Sequence, residues 1–162
     1  MYHRYLYIQL GKPMELSDWP ERIRVTLRQV FGQTKVLKDR KSGWMHVVIF
    51  YGFFIVQFGA LEIIIKGFVP GFAWPIGPWY PIYTLSQEMT VAAVIIASLY
   101  AAYRRYGEKI RRLKRNKKAS IVIWFIVSLM ASVLFTLAFE QIWLGERASL
   151  FRPFTSVLAL LF

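Results

Sequence analysis

The sequence contains no cysteine among its 162 residues. Disulfide bonds, thiolate zinc sites and cysteine-ligated iron–sulfur clusters held by this chain are therefore excluded. Any iron–sulfur cluster that works with it must belong to a partner or to missing sequence.

Histidine occurs only as His3 and His46. The sequence has no Ser–His–Asp arrangement, no glycine-rich phosphate loop and no zinc-ligand spacing, so it gives no support to hydrolase or nucleotide-dependent chemistry. The N-terminal stretch MYHRYLYIQLGKP lacks the apolar core of a signal peptide, so membrane insertion must use an internal segment. No internal repeat is present.

Acidic residues are few: 9 Asp and Glu stand against 21 Lys and Arg, for a formal net charge of +12. The positive charges cluster mainly in residues 1–42 and 104–118, while 56% of all residues are hydrophobic. Such clustering is typical of the cytoplasmic segments of membrane proteins and of attraction to membrane lipid. We therefore predict an integral membrane protein and no nucleic-acid partner.

Long uncharged runs set the predicted fold. Residues 44–61 carry no charge over 18 residues, which is the threshold length for a membrane-spanning helix. The runs predict an all-α, polytopic transmembrane bundle with spans at about 43–66, 81–103 and 119–140, and an incomplete one from 153. Because ten residues cannot cross a bilayer, we expect the sequence to be a truncated chain.

A short helix is predicted within the basic lead-in, residues 1–42. The stretch SDWPE at residues 17–21 offers Ser or Asp as a cap, Pro for the first turn and Glu for the positive end of the helix dipole. Up to about residue 31, apolar residues recur at a spacing of three to four: Ile23, Leu27, Val30 and Phe31. This pattern indicates an amphipathic helix on the membrane surface, or equally one that faces a cytoplasmic partner.

The connecting segments predict the topology. Residues 67–87 contain four prolines among Trp and Tyr side chains, which indicates an interfacial or partly re-entrant loop. Residues 104–118 hold nine positive charges and one negative, whereas residues 140–152 are balanced. The positive-inside rule therefore places the N-terminus and the 104–118 loop in the cytoplasm, and the other two loops outside.

His46 is the main candidate functional residue, because an ionisable residue inside a span usually has a function. A haem ligand and a hydrogen-bonded histidine near the lipid headgroups both fit its position. At helical spacing its face includes aromatic and aliphatic residues that could contact a porphyrin or simply another helix: Ile49, Phe50, Phe53, Gln57 and Ala60. Gly52 and Gly59 lie on an adjacent face, where close helix packing is favoured over contact with a macrocycle edge.

Polar residues near the other end of the first span form a second candidate. Gln57, Glu62 and Lys66 are expected to make a ladder that could serve a quinone headgroup or a proton route. The favoured interpretation is an interfacial Glu62–Lys66 ion pair with a snorkelling lysine. Glu140, at the end of the third span, has the same two interpretations.

Three parts of the sequence together resemble a known family. They are the segment DRKSGWMHVVIFYGFFIVQFG, the lead-in YIQLGKP and ERIRVTLRQVFGQTKVL, and the loop YRRYGEKIRRLKRNKKA. They are similar to the membrane cytochrome b domain of the respiratory nitrate reductase gamma subunit family, in the version fused to heterodisulfide-reductase-like iron–sulfur domains. The resemblance implies that residues 43–162 form a cytochrome b-like domain in a prokaryotic cytoplasmic membrane. It also implies haem b with His46 as an axial ligand. By helical spacing, Phe50, Phe53 and Gly52 would then pack against that haem.

The same resemblance implies electron transfer between a quinone and a cytoplasmic iron–sulfur or flavoprotein partner, with no catalytic site in this chain. Two-haem relatives carry a second histidine about three turns along the helix, where this chain has Val56 or Gln57. The family has further helices at both ends, so we expect missing sequence on either side. A haem-free anchor that recruits a partner through its basic loops is the alternative, and a transporter is disfavoured because no inverted repeat is visible.

Overall fold

The computed structural model describes residues 18–108 and 117–162, and these residues are helical with no strand. The predicted all-α class is therefore confirmed. The helices are α1 (Trp19–Val30), α2 (Arg40–Phe68), α3 (Tyr80–Tyr106), α4 (Lys117–Trp143) and α5 (Pro153–Ala159). Single 3₁₀ turns lie at Val36–Lys38 and Gly77–Trp79. The chain divides after Lys38 into two units, which are described separately.

Helix α1 belongs to the first unit and has a proline in its first turn, as predicted. The predicted cap is wrong for Asp18, whose backbone is left-handed (φ 62°) and whose side chain makes no capping hydrogen bond. Ser17 lies outside the described residues. The Gln33 side chain donates to the Val30 carbonyl at 2.6 Å and so satisfies one free acceptor at the helix end.

The apolar face of α1 is not covered by the described residues of its unit, 18–38. Ile23, Leu27 and Phe31 are each about half exposed, at 54%, 50% and 49%. An amphipathic helix with such a face needs a lipid surface or a partner to cover it. The surface-helix and partner-helix interpretations both remain predictions.

Among the described residues of the second unit, three helices are long and apolar enough to cross a membrane: Arg40–Phe68, Gly77–Tyr106 and Lys117–Trp143. They overlap the three predicted spans and extend beyond them at both ends. Length and composition thus indicate a polytopic membrane protein.

The predicted loop at residues 67–87 overlapped the predicted span 81–103. The structure agrees with the span, because α3 begins at Tyr80, so the loop prediction is wrong over its second half. Pro81 lies in the first turn of α3, where a backbone N–H has no helical partner, so proline is tolerated there. The loop is therefore confined to the stretch between Phe68 and Tyr80, including the 3₁₀ turn.

Helix α3 is the central element, with α2 packed on one side and α4 on another. The buried core where they meet consists of Val56, Val91, Val94 and Met130. Gly52 of α2 is buried at this contact, and a Cβ on it would collide with the Val94 side chain. A Cβ on Gly59 would lie 2.9 Å from Gln87 Oε1. The prediction that these glycines permit close helix packing is confirmed.

Helix α5 covers only seven residues, Pro153–Ala159, and packs on α4 and α3. Beyond it, the ring of Phe162 contacts those of Phe139 and Phe135, with centroid distances of 5.4 and 6.4 Å. The chain therefore turns back along α4 after Arg152. That this segment belongs to a fourth span remains a prediction.

Gly52→Ala should destabilise the bundle, whereas Gly67→Ala should be neutral or stabilising. Alanine is favoured over glycine in a helix by about 0.5–1 kcal/mol, but overpacking costs about 1–3 kcal/mol. Gly67 has nothing within 4 Å of an added Cβ, so alanine brings its higher helix propensity there without overpacking. Unfolding midpoints in mixed micelles measure both variants, and an equal response of the two would contradict the close contact at Gly52.

Candidate functional site

His46 lies in the second turn of α2, and its side chain is exposed. Its imidazole stacks on Phe50, with a ring-centroid distance of 6.3 Å and an interplanar angle of 14°. Phe53 is 56% exposed on the surface of the same helix. The structure thus places all three residues on the outer surface of α2.

Gly52 does not belong to this surface, contrary to the expectation that it would pack against a haem. It lies where α2 contacts α3, and Val94 and Thr90 occupy the space beside it. Val56, at the level of a possible second haem ligand, is likewise buried in the core between helices. No space for a macrocycle therefore exists beside Gly52.

A low-spin b-type haem needs two strong axial ligands and an apolar enclosure. His46 is the one histidine among residues 18–108 and 117–162, and His3 lies outside them. Within the same ranges, no group of three or more His, Cys, Asp or Glu side chains could hold a metal ion. The described part of the chain therefore offers one candidate axial ligand and one aromatic wall to a haem.

A buried polar group lies at the opposite end of α2, and we call Glu62, Lys66, Tyr80 and Glu140 the Lys66 cluster. Lys66 Nζ lies 3.1 Å from Glu62 Oε1 and 2.8 Å from Glu140 Oε1. The Tyr80 hydroxyl donates a hydrogen bond to Glu62 Oε1 at 2.5 Å. The predicted Glu62–Lys66 ion pair is confirmed, and α3 and α4 each add a partner to it.

The predicted polar ladder is wrong at Gln57. Glu62 is 5% exposed and faces the bundle, whereas Gln57 is exposed on the surface of α2. Five residues along an α-helix turn the side chain by about 140°, which separates the two. Gln57 therefore takes no part in the Lys66 cluster.

Glu88 of α3 is a buried carboxylate that the sequence analysis missed. It is 1% exposed, and its Oε2 accepts hydrogen bonds from the backbone N–H groups of Phe154 at 2.9 Å and Thr155 at 3.3 Å. Its other oxygen, Oε1, has no hydrogen-bond partner among the described residues. The sequence feature that could have revealed it is a carboxylate seven residues after the start of the predicted span 81–103, since charged residues are rare inside membrane spans.

A small cavity joins Glu88 to the Lys66 cluster. Its volume is about 40 Å³, and its lining includes the polar residues Glu62, Lys66, Tyr80, Tyr83, Thr84, Gln87, Glu88 and Arg152. That volume suits two or three water molecules and is far too small for a haem. Water there could reach the Oε1 atom of Glu88, which the protein leaves without a partner.

Comparison with known proteins identifies a curated relative but no matching family profile and no matching solved structure. The relative is named probable iron–sulfur-binding oxidoreductase FadF, from Bacillus subtilis, and is 45% identical over 157 residues. This chain is similar to one part of a longer oxidoreductase. The alignment covers 96% of the chain but 22% of the relative, so the chain spans about a fifth of that protein. The cytochrome b and haem parts of the resemblance remain predictions.

A double-mutant cycle on Lys66→Met and Glu140→Gln should give a coupling energy of about 2 kcal/mol. Both side chains are largely shielded from solvent, at 19% and 21% exposure. Removing the charge of one therefore leaves the charge of the other in a poorly solvated site. The matched pair is Arg152 and Glu146, whose charged atoms lie 2.9 Å apart, but Glu146 is 45% exposed. It should couple by about 0.5 kcal/mol, and equal values for the two pairs would contradict a structural role specific to Lys66.

Proposed function

We propose that the chain is the membrane part of an iron–sulfur oxidoreductase, passing electrons between a quinone pool and a cytoplasmic iron–sulfur or flavoprotein partner. The observation that carries this is the 45% identity to a named iron–sulfur-binding oxidoreductase over 96% of the chain. Because the chain has no cysteine, cysteine-ligated clusters would be held outside it. The three helices long enough to span a membrane suit contact with a lipid-soluble carrier.

We further propose that haem b is bound at His46. In this proposal an imidazole nitrogen of His46 ligates the iron, and Phe50 and Phe53 keep water from one side of the macrocycle. The haem would supply one-electron transfer, while the protein supplies ligation and burial. The second axial ligand would come from residues beyond those described.

A haem-free membrane anchor is the second candidate. It is favoured by the exposure of His46 and by the lack of a second histidine among residues 18–108 and 117–162. In that case His46 would donate or accept a hydrogen bond across a helix contact, and the basic segments would recruit the partner.

The proposed orientation puts the basic ends of α2, α3 and α4 in the cytoplasm and the Lys66 cluster near the outer face. It is supported by the charge difference between residues 104–118 and 140–152, since positive loops are retained inside. Residues 109–116 of the basic segment lie outside the described residues.

Single cysteines test this orientation cleanly, because the chain has none of its own. Lys117→Cys and Ala148→Cys replace exposed residues on either side of α4. A membrane-impermeant maleimide applied to intact cells should label position 148 and reach position 117 only after the membrane is opened. Labelling in the opposite order would reverse the orientation.

Visible spectra separate the two functions. These 162 residues alone should bind haem weakly or in a high-spin form, whereas a longer chain with a further histidine-bearing helix should give a six-coordinate b-type spectrum, reduced with dithionite. His46→Ala should abolish that spectrum, while Gln57→Ala, which also changes an exposed residue of α2, should preserve it. A normal low-spin spectrum from the His46→Ala protein would remove His46 from the site, and no haem in the unmodified longer chain would favour the anchor.

A further inference from the structure

An apolar groove of about 380 Å³ lies between α2 and α3 near their basic ends. Helix α2 lines it with Lys41, Trp44, Met45 and Val48, a set that repeats at three- and four-residue steps along one face. Helix α3 lines it with four residues at the same steps between positions 93 and 100. His46 does not line the groove, which is therefore separate from the proposed haem surface.

Small side chains on α3 create the groove. Ala93 and Ala97 fill little of the space between the helices, while Trp44 and Tyr100 project beside them and are 65% and 37% exposed. The groove begins one turn from Gly52, where the two helices are in close contact. Its walls are almost wholly apolar, and among the residues that the structure describes, Lys41 supplies the one charged side chain that lines it.

The position of the groove along the spans indicates its surroundings. Lys41 is in the first turn of α2, and Arg104 and Arg105 follow Tyr100 at the end of α3, so this end lies at the membrane–water boundary. Trp and Tyr prefer that depth, and the walls that continue beyond them lie at the depth of the acyl chains. The mouth thus combines a cation at headgroup level with an apolar channel below it.

We propose that this groove binds one anionic phospholipid from the leaflet on the basic side. Its acyl chain lies along Ala93 and Ala97 between Trp44 and Tyr100, and its phosphate contacts the Lys41 ammonium group. Charge complementarity selects this occupant, since a cation at the mouth of an apolar groove favours an anionic lipid over a zwitterionic one. The proposal is independent of haem binding and of electron transfer.

Spin-labelled lipids test the selectivity. The 162-residue protein is placed in phosphatidylcholine vesicles with a trace of spin-labelled phosphatidylglycerol or phosphatidylcholine, and the immobilised fraction is measured by electron paramagnetic resonance. Phosphatidylglycerol should bind about fivefold more strongly, the factor expected from one cation near its phosphate. Lys41→Gln should remove this preference, whereas Arg40→Gln, a neighbouring exposed cation outside the groove, should preserve most of it.

Filling the groove tests the acyl-chain contact. Ala93 is exposed, so Ala93→Phe occupies the groove without overpacking the core. This variant should lose the immobilised phosphatidylglycerol component, while Ser128→Phe on the exposed surface of α4 should retain it. Equal immobilisation of the two lipids, equal effects of the Lys41 and Arg40 variants, or full binding by the Ala93→Phe protein would each overturn the proposal.

Discussion

Lys66 fixes how three helices meet at one end of the bundle. Its ammonium group lies between carboxylates of α2 and α4, while Tyr80 of α3 donates to the carboxylate of α2. Helices α2 and α4 otherwise pack on α3 rather than on each other within the described residues. Since an uncompensated charge costs several kcal/mol in a poorly solvated site, these groups must stay at one level. That requirement sets the register of α2 and α4 across α3.

The elements that the sequence predicts best are those set by local spacing and length. Long apolar runs predict the three long helices, although Glu88 interrupts the second run, and a four-residue step predicts the Glu62–Lys66 pair. The predicted span start at residue 81 lies within one residue of the start of α3, but the predicted loop ran on to residue 87 because clustered prolines suggested a loop, although the first turn of a helix accepts one. Glu88 was missed because its partners, Phe154 and Thr155, lie 66 and 67 residues away along the chain.

A sequence pattern also could not predict which side of α2 packs against α3 and which side faces outward. The helix is apolar nearly all round, so no stripe distinguishes the side that meets α3 from the side that faces outward. The glycines decided it: Gly52 and Gly59 admit α3 closely, and this leaves His46, Phe50 and Phe53 on the surface. An apolar helix in a membrane can use any side for protein contact, because lipid tails are as apolar as its side chains.

The exposure of His46 itself indicates where the chain meets something else. It lies six residues from the start of α2, a rise of about 9 Å, so in a membrane-spanning α2 the imidazole would lie below the basic residues at the helix start. Hydrocarbon cannot satisfy its two ring nitrogens, and a polar group without a partner at that depth is costly. Haem iron would satisfy one nitrogen, and a hydrogen bond from another helix would do the same in a haem-free anchor. Both proposed functions therefore require that the His46 side of α2 be covered, and they differ in the atom that meets the imidazole.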